Sequence, residues 1–117
     1  MQVRTKRIYE QPSQQDGYRV LVDGLWPRGA RKADADLDEW ARELAPSREL
    51  RKWFGHDPAR WDEFRRRYVN ELDDQDEAVR ALVERAGGGR ITLLYAAKDQ
   101  EHNNAEVLKE YLEEVAS

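Results

Sequence analysis

The sequence predicts an α/β fold in which a small, mainly parallel sheet of about three strands is packed with helices in a single domain, residues 1–117. Two apolar runs without alternation, Val20-Leu21-Val22 and residues 91–97, are typical of strands that are covered on both faces. Between them the apolar residues recur at helical spacing. Two buried strands separated by helices predict a parallel pair joined by a right-handed crossover.

The composition favours a small globule with a heavily charged surface. Apolar residues make up 39% and charged residues 38% of 117 positions, while four tryptophans and five tyrosines argue against disorder. A net charge of −4 gives no general attraction to phosphate backbones, so nucleic-acid binding would need a local basic patch and is not the expected partnership. The absence of cysteine excludes disulfides, thiolate metal ligands and a cysteine nucleophile.

Hydropathy predicts no membrane segment. Residues 1–11 lack the apolar core of a signal peptide, and no run approaches the roughly 20 apolar residues of a membrane span. We therefore expect a cytoplasmic protein without membrane partners.

The strand predictions follow from local composition. Residues 3–9 indicate a charged edge strand. The polar residues 11–17 form a loop that is short for a parallel crossover, so the direction of this first strand relative to the next one stays open. The strand at residues 18–22 is expected at the centre of the sheet, beside the strand at residues 91–97. A turn at Pro27-Arg28-Gly29 follows it, because proline fixes φ and glycine permits positive φ.

Five helices are predicted from capping residues and apolar spacing. Asp36 and Glu39 have the spacing of a capping box and predict a first helix that ends at Pro46 and carries Leu37, Trp40 and Leu44. Ser47 is expected to cap a second helix, which Gly55 ends.

Asp57 and Pro58 begin a third helix through Leu72, with residues 65–67 forming an arginine-rich flank that we expect to be paired and solvated. Residues 77–86 form a fourth helix, followed by a glycine triplet that lacks the spacing of a phosphate-binding loop. Asn103, with Glu106 three residues later, caps a final helix.

A site is predicted where the two central strands end. Ligands of open α/β sheets bind beyond the carboxyl ends of the strands, so residues 23–32 are expected to face residues 98–103. The converging groups are Asp23, Trp26, Arg28, Lys32, Lys98, Asp99, His102 and Asn103. The free N–H groups at the start of the final helix favour an anion there.

Each group has a proposed role and an ordinary alternative. Arg28 and Lys32 are expected to hold the anion, and Lys98 and Asn103 to contact it, while Trp26 stacks on the ligand or simply plugs the end of the sheet. His102 is placed as a general acid or base assisted by Asp99 or Asp23, or as a loop residue without a chemical role.

The residues predict neither a cofactor nor a metal centre. His56 and His102 are the only histidines, and without cysteine a transition-metal site would depend on carboxylates. Neither a phosphate-binding glycine loop nor a Gly-x-Ser-x-Gly elbow occurs.

Five segments together resemble the bacterial and archaeal YeaO-like proteins, a branch of domain of unknown function 488: VDGLWPRG, DEWARELAPS, LRKWFGHDPARWDEFRRRY, ITLLYAAKDQEHNNA and VLKEYL. The resemblance runs from about Arg7 to the end of the chain. It implies a small cytoplasmic α/β protein and no particular reaction, because the family has no established activity.

The resemblance also implies a set of motif residues. They are Asp23, Trp26, Pro27, Arg28, Gly29, Lys32, Trp40, Pro46, Ser47, Leu50, Arg51, Trp53, Phe54, His56, Tyr68, Asp99, His102 and Asn103. Two positions depart from the pattern, with Gly24 where arginine is usual and Asn104 where histidine is frequent. Among the motif residues, Ser47, Arg51, Trp53 and His56 form a second candidate cluster. Capping and packing are their expected roles, with Arg51 able to lean toward the strand ends.

Three functions remain open at this stage. The leading hypothesis is a small enzyme or binding protein for an anionic small molecule that carries a phosphate or a carboxylate. The alternatives are a nucleic-acid-binding module that uses the basic loop and the arginine flank, and a protein–protein interaction domain that uses exposed aromatic residues.

Overall fold

Four parallel strands form one sheet in this computed structural model, which describes residues 1–116. The strands are β1 (Gln2–Arg7), β2 (Tyr18–Leu21), β3 (Glu39–Trp40) and β4 (Arg90–Tyr95), in the spatial order β1-β4-β2-β3. Every pairing is parallel, which settles the direction of β1 and confirms the α/β prediction. The strand count is four, one more than expected.

The two apolar runs occupy the two inner positions, as predicted. Val20 is paired with Leu93 and Leu21 with Leu94, and all four side chains are fully buried. Strands buried on both faces favour apolar residues on both sides of the strand, which explains why neither run alternates.

Most of the remaining chain is helical. The α-helices are α1 (Lys32–Ala35), α2 (Arg48–Phe54), α3 (Trp61–Asp73), α4 (Asp76–Arg85) and α5 (Asn104–Val115). Short 3₁₀ turns lie at Gln14–Asp16, Arg42–Leu44 and Pro58–Arg60.

Local capping signals correctly located three helix starts. The Ser47 hydroxyl accepts from the Leu50 N–H at 3.2 Å, and the Asp57 carboxylate from the Ala59 N–H at 3.0 Å. Asn103 accepts from the Glu106 N–H at 3.0 Å and so caps α5. These bonds join residues two or three apart, which is why the sequence alone reveals them.

The sheet has a large and a small apolar face. Helices α2 to α5 cover the large face, where Val20 and Leu93 pack with Phe64, Tyr68 and residues of α5. The small face carries Leu21 and Leu94, covered by α1 and the surrounding loops. Of the buried charged residues, Asp16 ends the 3₁₀ turn before β2 and Arg19 lies within β2.

The helix predicted at residues 36–46 is wrong. Asp36 has a left-handed backbone (φ 48°) that ends α1, and residues 39–40 form β3 beside β2. Leu37 and Trp40 pack on the small face, whereas Leu44 belongs to the core of the large face. The apparent helical stripe is therefore divided between two sides of the sheet, because strand pairing overrides local spacing.

No helix within residues 1–116 is long and apolar enough to cross a membrane.

Candidate functional site

A cavity of about 690 Å³ opens at the carboxyl edge of the sheet. Its walls come from the loop after β2 (residues 23–27), from the loop after β4 (residues 96–99) and from the beginning of α5 (Asn103 and Asn104). The α2–α3 region closes the remaining side with Pro46, Arg51, Phe54, His56 and Phe64. The position is the one expected for a ligand site in an open parallel sheet.

Arg51 is the most unusual residue of this cavity. Its Nε atom is buried and lacks a hydrogen-bond partner, and none of the described residues forms an ion pair with its guanidinium group. The guanidinium lies against Gly24, where an added Cβ atom would stand 3.1 Å from Cζ. Buried polar groups are nearly always paired, so an unpaired donor at a cavity wall indicates a place for an acceptor.

Asp23 stands beside Arg51 in the cavity wall. One carboxylate oxygen accepts from the Ala96 N–H at 2.9 Å and the other from the Asn104 amide at 3.2 Å. Burial raises the pKa of Asp23, against the lowering effect of these hydrogen bonds and of the positive charges of Arg51 and His56. The two hydrogen bonds hold the carboxylate in one orientation at the end of β2.

Aromatic and aliphatic side chains supply most of the remaining wall. Phe54 and Phe64 stack with their ring centroids 4.2 Å apart, and Pro46 is buried near them. Trp26 is half-buried, donates its indole N–H to the Ala30 carbonyl at 2.8 Å and meets the edge of Trp40. A cavity with apolar walls and a few oriented polar groups is typical of small-molecule sites.

Five of the eight residues expected to converge at the strand ends line this one cavity: Asp23, Trp26, Lys98, Asp99 and Asn103. From the second candidate cluster, Arg51 and His56 line it as well.

Arg28 and Lys32 do not line the cavity, contrary to expectation. Arg28 is exposed in a turn closed by the Ala30 N–H and the Pro27 carbonyl at 3.2 Å, and its own carbonyl accepts from the Tyr9 hydroxyl. Lys32 begins the exposed helix α1 instead of belonging to the loop. Both cations are therefore exposed to solvent and lie outside the cavity lining.

His102 also lies outside the cavity lining. Its Nδ1 atom is 3.0 Å from an Asp99 carboxylate oxygen, and its ring packs edge-on against Trp61 with centroids 5.2 Å apart. Hydrogen bonds from the backbone N–H groups of His102 and Glu101, and then from the His102 ring, lower the pKa of Asp99. Asp99 thus orients this histidine and closes the turn before α5.

Ser47 and Trp53 of the second cluster are occupied elsewhere. Ser47 binds Glu71 through both its backbone N–H (2.7 Å) and its hydroxyl (2.6 Å), in addition to capping α2. Trp53 lies under the guanidinium groups of Arg60 and Arg67, at 5.3 and 4.4 Å from its ring centroid. These contacts hold α2 on α3.

Each arginine of the α3 flank is paired with a carboxylate. Arg65 pairs with Glu110 of α5, while Arg66 and Arg67 both bind Glu63. Glu63 has its pKa lowered to about 2 by these two arginines. A flank whose charges are already paired offers little attraction to a phosphate backbone.

His56 reaches the cavity through an uncommon backbone conformation. Its φ angle is 58°, directly after Gly55 at 53°, so two successive residues are left-handed. A histidine in this region costs about 1–2 kcal/mol relative to a helical residue, and such strain is frequent at ligand sites. Within residues 1–116, histidine and carboxylate side chains form no cluster of three that is suited to a metal ion.

Sequence reasoning missed several wall residues. Phe54 and Phe64 carry the same helical spacing as core residues, so spacing cannot show that one side of each borders a cavity. Asn104 drew notice only as a departure from a family pattern, yet its amide binds both Asp23 and the Val22 carbonyl. Gly24 provides the space into which Arg51 extends.

Comparison with known families gives one match over nearly the entire chain. A family model described as "Inactive DUF488-N3 subclade" matches residues 2–117. The chain belongs to this family. The resemblance to the YeaO-like branch is thereby confirmed.

Curated relatives of this DUF488 member are uncharacterized proteins. The chain is 44% identical to the uncharacterized protein YeaO of Escherichia coli, over 96% of this chain and 97% of the relative. It is 42% identical to uncharacterized proteins of Mycobacterium bovis and Mycobacterium tuberculosis, over 94% of this chain and 92% of each relative. No solved structure gave a significant match.

Proposed function

We propose that this protein binds a small molecule bearing a carboxylate or phosphate group in the cavity at the carboxyl ends of β2 and β4. The single observation that carries the proposal is Arg51, whose guanidinium group faces this cavity without a partner among the described residues. Guanidinium groups bind carboxylates and phosphates through paired N–H donors, and these charge-assisted bonds are among the strongest in proteins.

A binding role is favoured over a catalytic one by two observations. The description of the family model contains the word "inactive". In addition, the His102–Asp99 pair, the best oriented acid–base pair of the predicted site, turns its histidine toward Trp61 and not into the cavity lining. A general base has to reach the proton it removes, directly or through one water molecule.

Lys98 and the start of α5 support the same ligand class. Lys98 lines the cavity and is exposed, so its ammonium group adds a second positive charge near the mouth. Asn103, also in the lining, marks the amino end of a 12-residue helix, where the macrodipole favours negative charge.

The test is binding of 3-phenylpropionate and phenyl phosphate to the wild type, to Arg51→Met and to Arg48→Met, measured by titration calorimetry and thermal shift. Arg48 is the matched control because it lies on the same helix but is exposed and outside the cavity lining. We expect Arg51→Met to weaken binding at least tenfold, as loss of a charge-assisted bond of about 1.5–3 kcal/mol implies. Arg48→Met should bind as the wild type does.

A second variant separates charge from position. Gly24→Ala keeps the Arg51 charge but places a methyl group about 3.1–3.2 Å from its guanidinium atoms, so the group has to move. We expect weaker binding in this variant also. Equal affinity of wild type and Arg51→Met, or no binding of either anion at millimolar concentration, would overturn the proposal.

A further inference from the structure

Apart from His56, the ionisable residues lining the cavity balance each other in charge. Asp23 and Asp99 contribute two carboxylates, while Arg51 and Lys98 contribute two cations. A ligand with several negative charges, such as a phosphate ester, therefore meets carboxylates as well as cations. A ligand that carries one charge of each sign meets a complement for both.

Asp23 has unused hydrogen-bonding capacity that faces the same space as Arg51. A carboxylate can accept about four hydrogen bonds, and the structure supplies two, from the Ala96 N–H at 2.9 Å and from the Asn104 amide at 3.2 Å. Asn104 cannot turn away without losing its bond to the Val22 carbonyl at 3.0 Å. The carboxylate is thus held in place with lone pairs left for a donor on the ligand.

Arg51 and Asp23 are neighbours that do not bond to each other. The guanidinium lies over Gly24, the residue directly after Asp23, yet no ion pair within 4.0 Å joins the two side chains. The positive charge of Arg51 nevertheless lowers the pKa of Asp23, against the larger effect of burial. Two opposite charges held apart in one wall leave room for a ligand that bridges them.

We infer that the ligand is a zwitterion of the α-amino-acid type with an apolar side chain, its carboxylate bound by Arg51 and its ammonium group by Asp23. An α-amino acid carries its ammonium and carboxylate groups on the same carbon atom. This close spacing suits Asp23 and Arg51, which both adjoin Gly24. This inference rests on the proposed function and adds a binding partner, Asp23, for an ammonium group on the ligand.

The walls select the side chain of the ligand. Leu25, Phe54, Phe64 and Pro46 border the cavity, and the two phenylalanine rings are stacked at 4.2 Å. Burial of an apolar group against them contributes roughly 25 cal/mol for each Å² removed from water. A polar side chain would lose its hydration there without gaining partners.

Three probes with the same phenyl ring isolate the two charges. L-phenylalanine carries both, 3-phenylpropionate lacks the ammonium group, and 2-phenylethylamine lacks the carboxylate. Calorimetric titration of the wild type is expected to show L-phenylalanine binding at least tenfold more tightly than either single-charge analogue. N-acetyl-L-phenylalanine, whose nitrogen is uncharged, should lose the same advantage.

Asp23→Asn tests the residue that the inference adds. We expect this variant to lose the preference for L-phenylalanine over 3-phenylpropionate, while Asp62→Asn, the same change at an exposed position outside the cavity lining, retains it. Circular dichroism establishes that each variant is folded. If Asp23→Asn does not fold, the comparison of the four probes on the wild type still decides the question.

The outcomes separate this inference from the proposed function. Equal or tighter binding of 3-phenylpropionate, with the affinity lost in Arg51→Met, overturns the zwitterion and leaves the anion site intact. Failure of all four probes, together with failure of phenyl phosphate, overturns both. Tighter binding of L-phenylalanine that depends on both Arg51 and Asp23 supports both.

Discussion

Arg19 and Arg51 are both arginines with buried atoms, but they lie in opposite chemical situations. Every arm of Arg19 has a partner: Nε donates to the Asp36 carbonyl at 3.0 Å, one terminal nitrogen to the Ala35 carbonyl at 2.7 Å, and the other to the Asp16 carboxylate. Arg51 has no such partners among the described residues, and its Nε atom is buried without an acceptor.

The two acids next to these arginines differ in the same way. Burial acts to raise the pKa of Asp16, but hydrogen bonds from the Ser13 N–H and from Lys6 and Arg19 outweigh it, so the pKa is lowered. At Asp23, burial outweighs the hydrogen bonds and the neighbouring cations, and the pKa is raised. A buried charge that holds the fold together is therefore fully paired here, and the incompletely paired charges border the cavity.

The largest effect that tests this comparison is expected from Arg19→Met. Removing one member of a buried ion pair leaves Asp16 and two carbonyls short of donors, which should lower the free energy of unfolding by about 3–5 kcal/mol. Urea unfolding measures it. Arg31→Met is the control, because Arg31 is exposed and its ion pair with Asp34 is long, at 3.9 Å. Its free energy of unfolding should stay within about 0.5 kcal/mol of the wild-type value. Similar losses in both variants would contradict the structural role of Arg19.

Arg51→Met should change the free energy of unfolding in the opposite direction when no ligand is present. Methionine removes an unsatisfied buried donor, so the free energy of unfolding should be unchanged or rise by up to about 1 kcal/mol. Arg48→Met on the same helix provides the reference for helix propensity. A loss of more than about 2 kcal/mol in urea unfolding would mean that Arg51 supports the fold, and the contrast with Arg19 would disappear.

Local signals explain which parts of the fold the sequence predicted. Ser47, Asp57 and Asn103 each bind an N–H two or three residues away, so their helices were found at the right places. The two inner strands were found because burial on both faces favours apolar runs that do not alternate. The prediction for residues 36–46 failed because β3 forms by pairing with β2, a contact between distant residues.

The site was harder to predict than the fold. The topology placed the loops after β2 and β4 together, and five expected residues do line one cavity. Nothing local distinguishes Arg28, which the turn directs to solvent, from Arg51, which α2 carries to the strand ends. The direction of a side chain depends on how its helix or turn docks, and this information lies in distant packing contacts.

Backbone strain offers a smaller test, since each of the two regions holds one non-glycine residue with positive φ. Asp36 (φ 48°) offers its carbonyl to Arg19, and His56 (φ 58°) lines the cavity. His56→Gly should raise the free energy of unfolding by roughly 0.5–1 kcal/mol, because the left-handed cost of about 1–2 kcal/mol exceeds the added chain entropy of glycine. Asp36→Gly should raise the free energy of unfolding by less, since aspartate tolerates the left-handed conformation better than histidine does. A loss of stability in His56→Gly would show that the histidine side chain supports the fold.

The smallest expected effect concerns how the free energy of unfolding depends on pH, which should have opposite signs for Asp16 and Asp23. The lowered pKa of Asp16 means that its ionised form stabilises the fold above the unfolded value of about 3.9 and that this contribution is lost as the pH falls through the folded pKa. The raised pKa of Asp23 has the reverse consequence: its contribution is present below about 3.9 and is lost as the pH rises through the folded pKa.

Asp16→Asn and Asp23→Asn should therefore diverge when urea unfolding is measured from pH 3 to pH 7. The stability lost in Asp16→Asn should grow as the pH rises through the acid range, because the wild type gains its ion pairs with Lys6 and Arg19 there. The stability lost in Asp23→Asn should shrink as the pH rises through the folded pKa of Asp23. Above that pKa the wild type has to hold a buried charge that the cavity only partly compensates. Parallel profiles would mean that Asp23 is paired as completely as Asp16, and the cavity would lose the incompletely paired charge on which a bridging ligand depends.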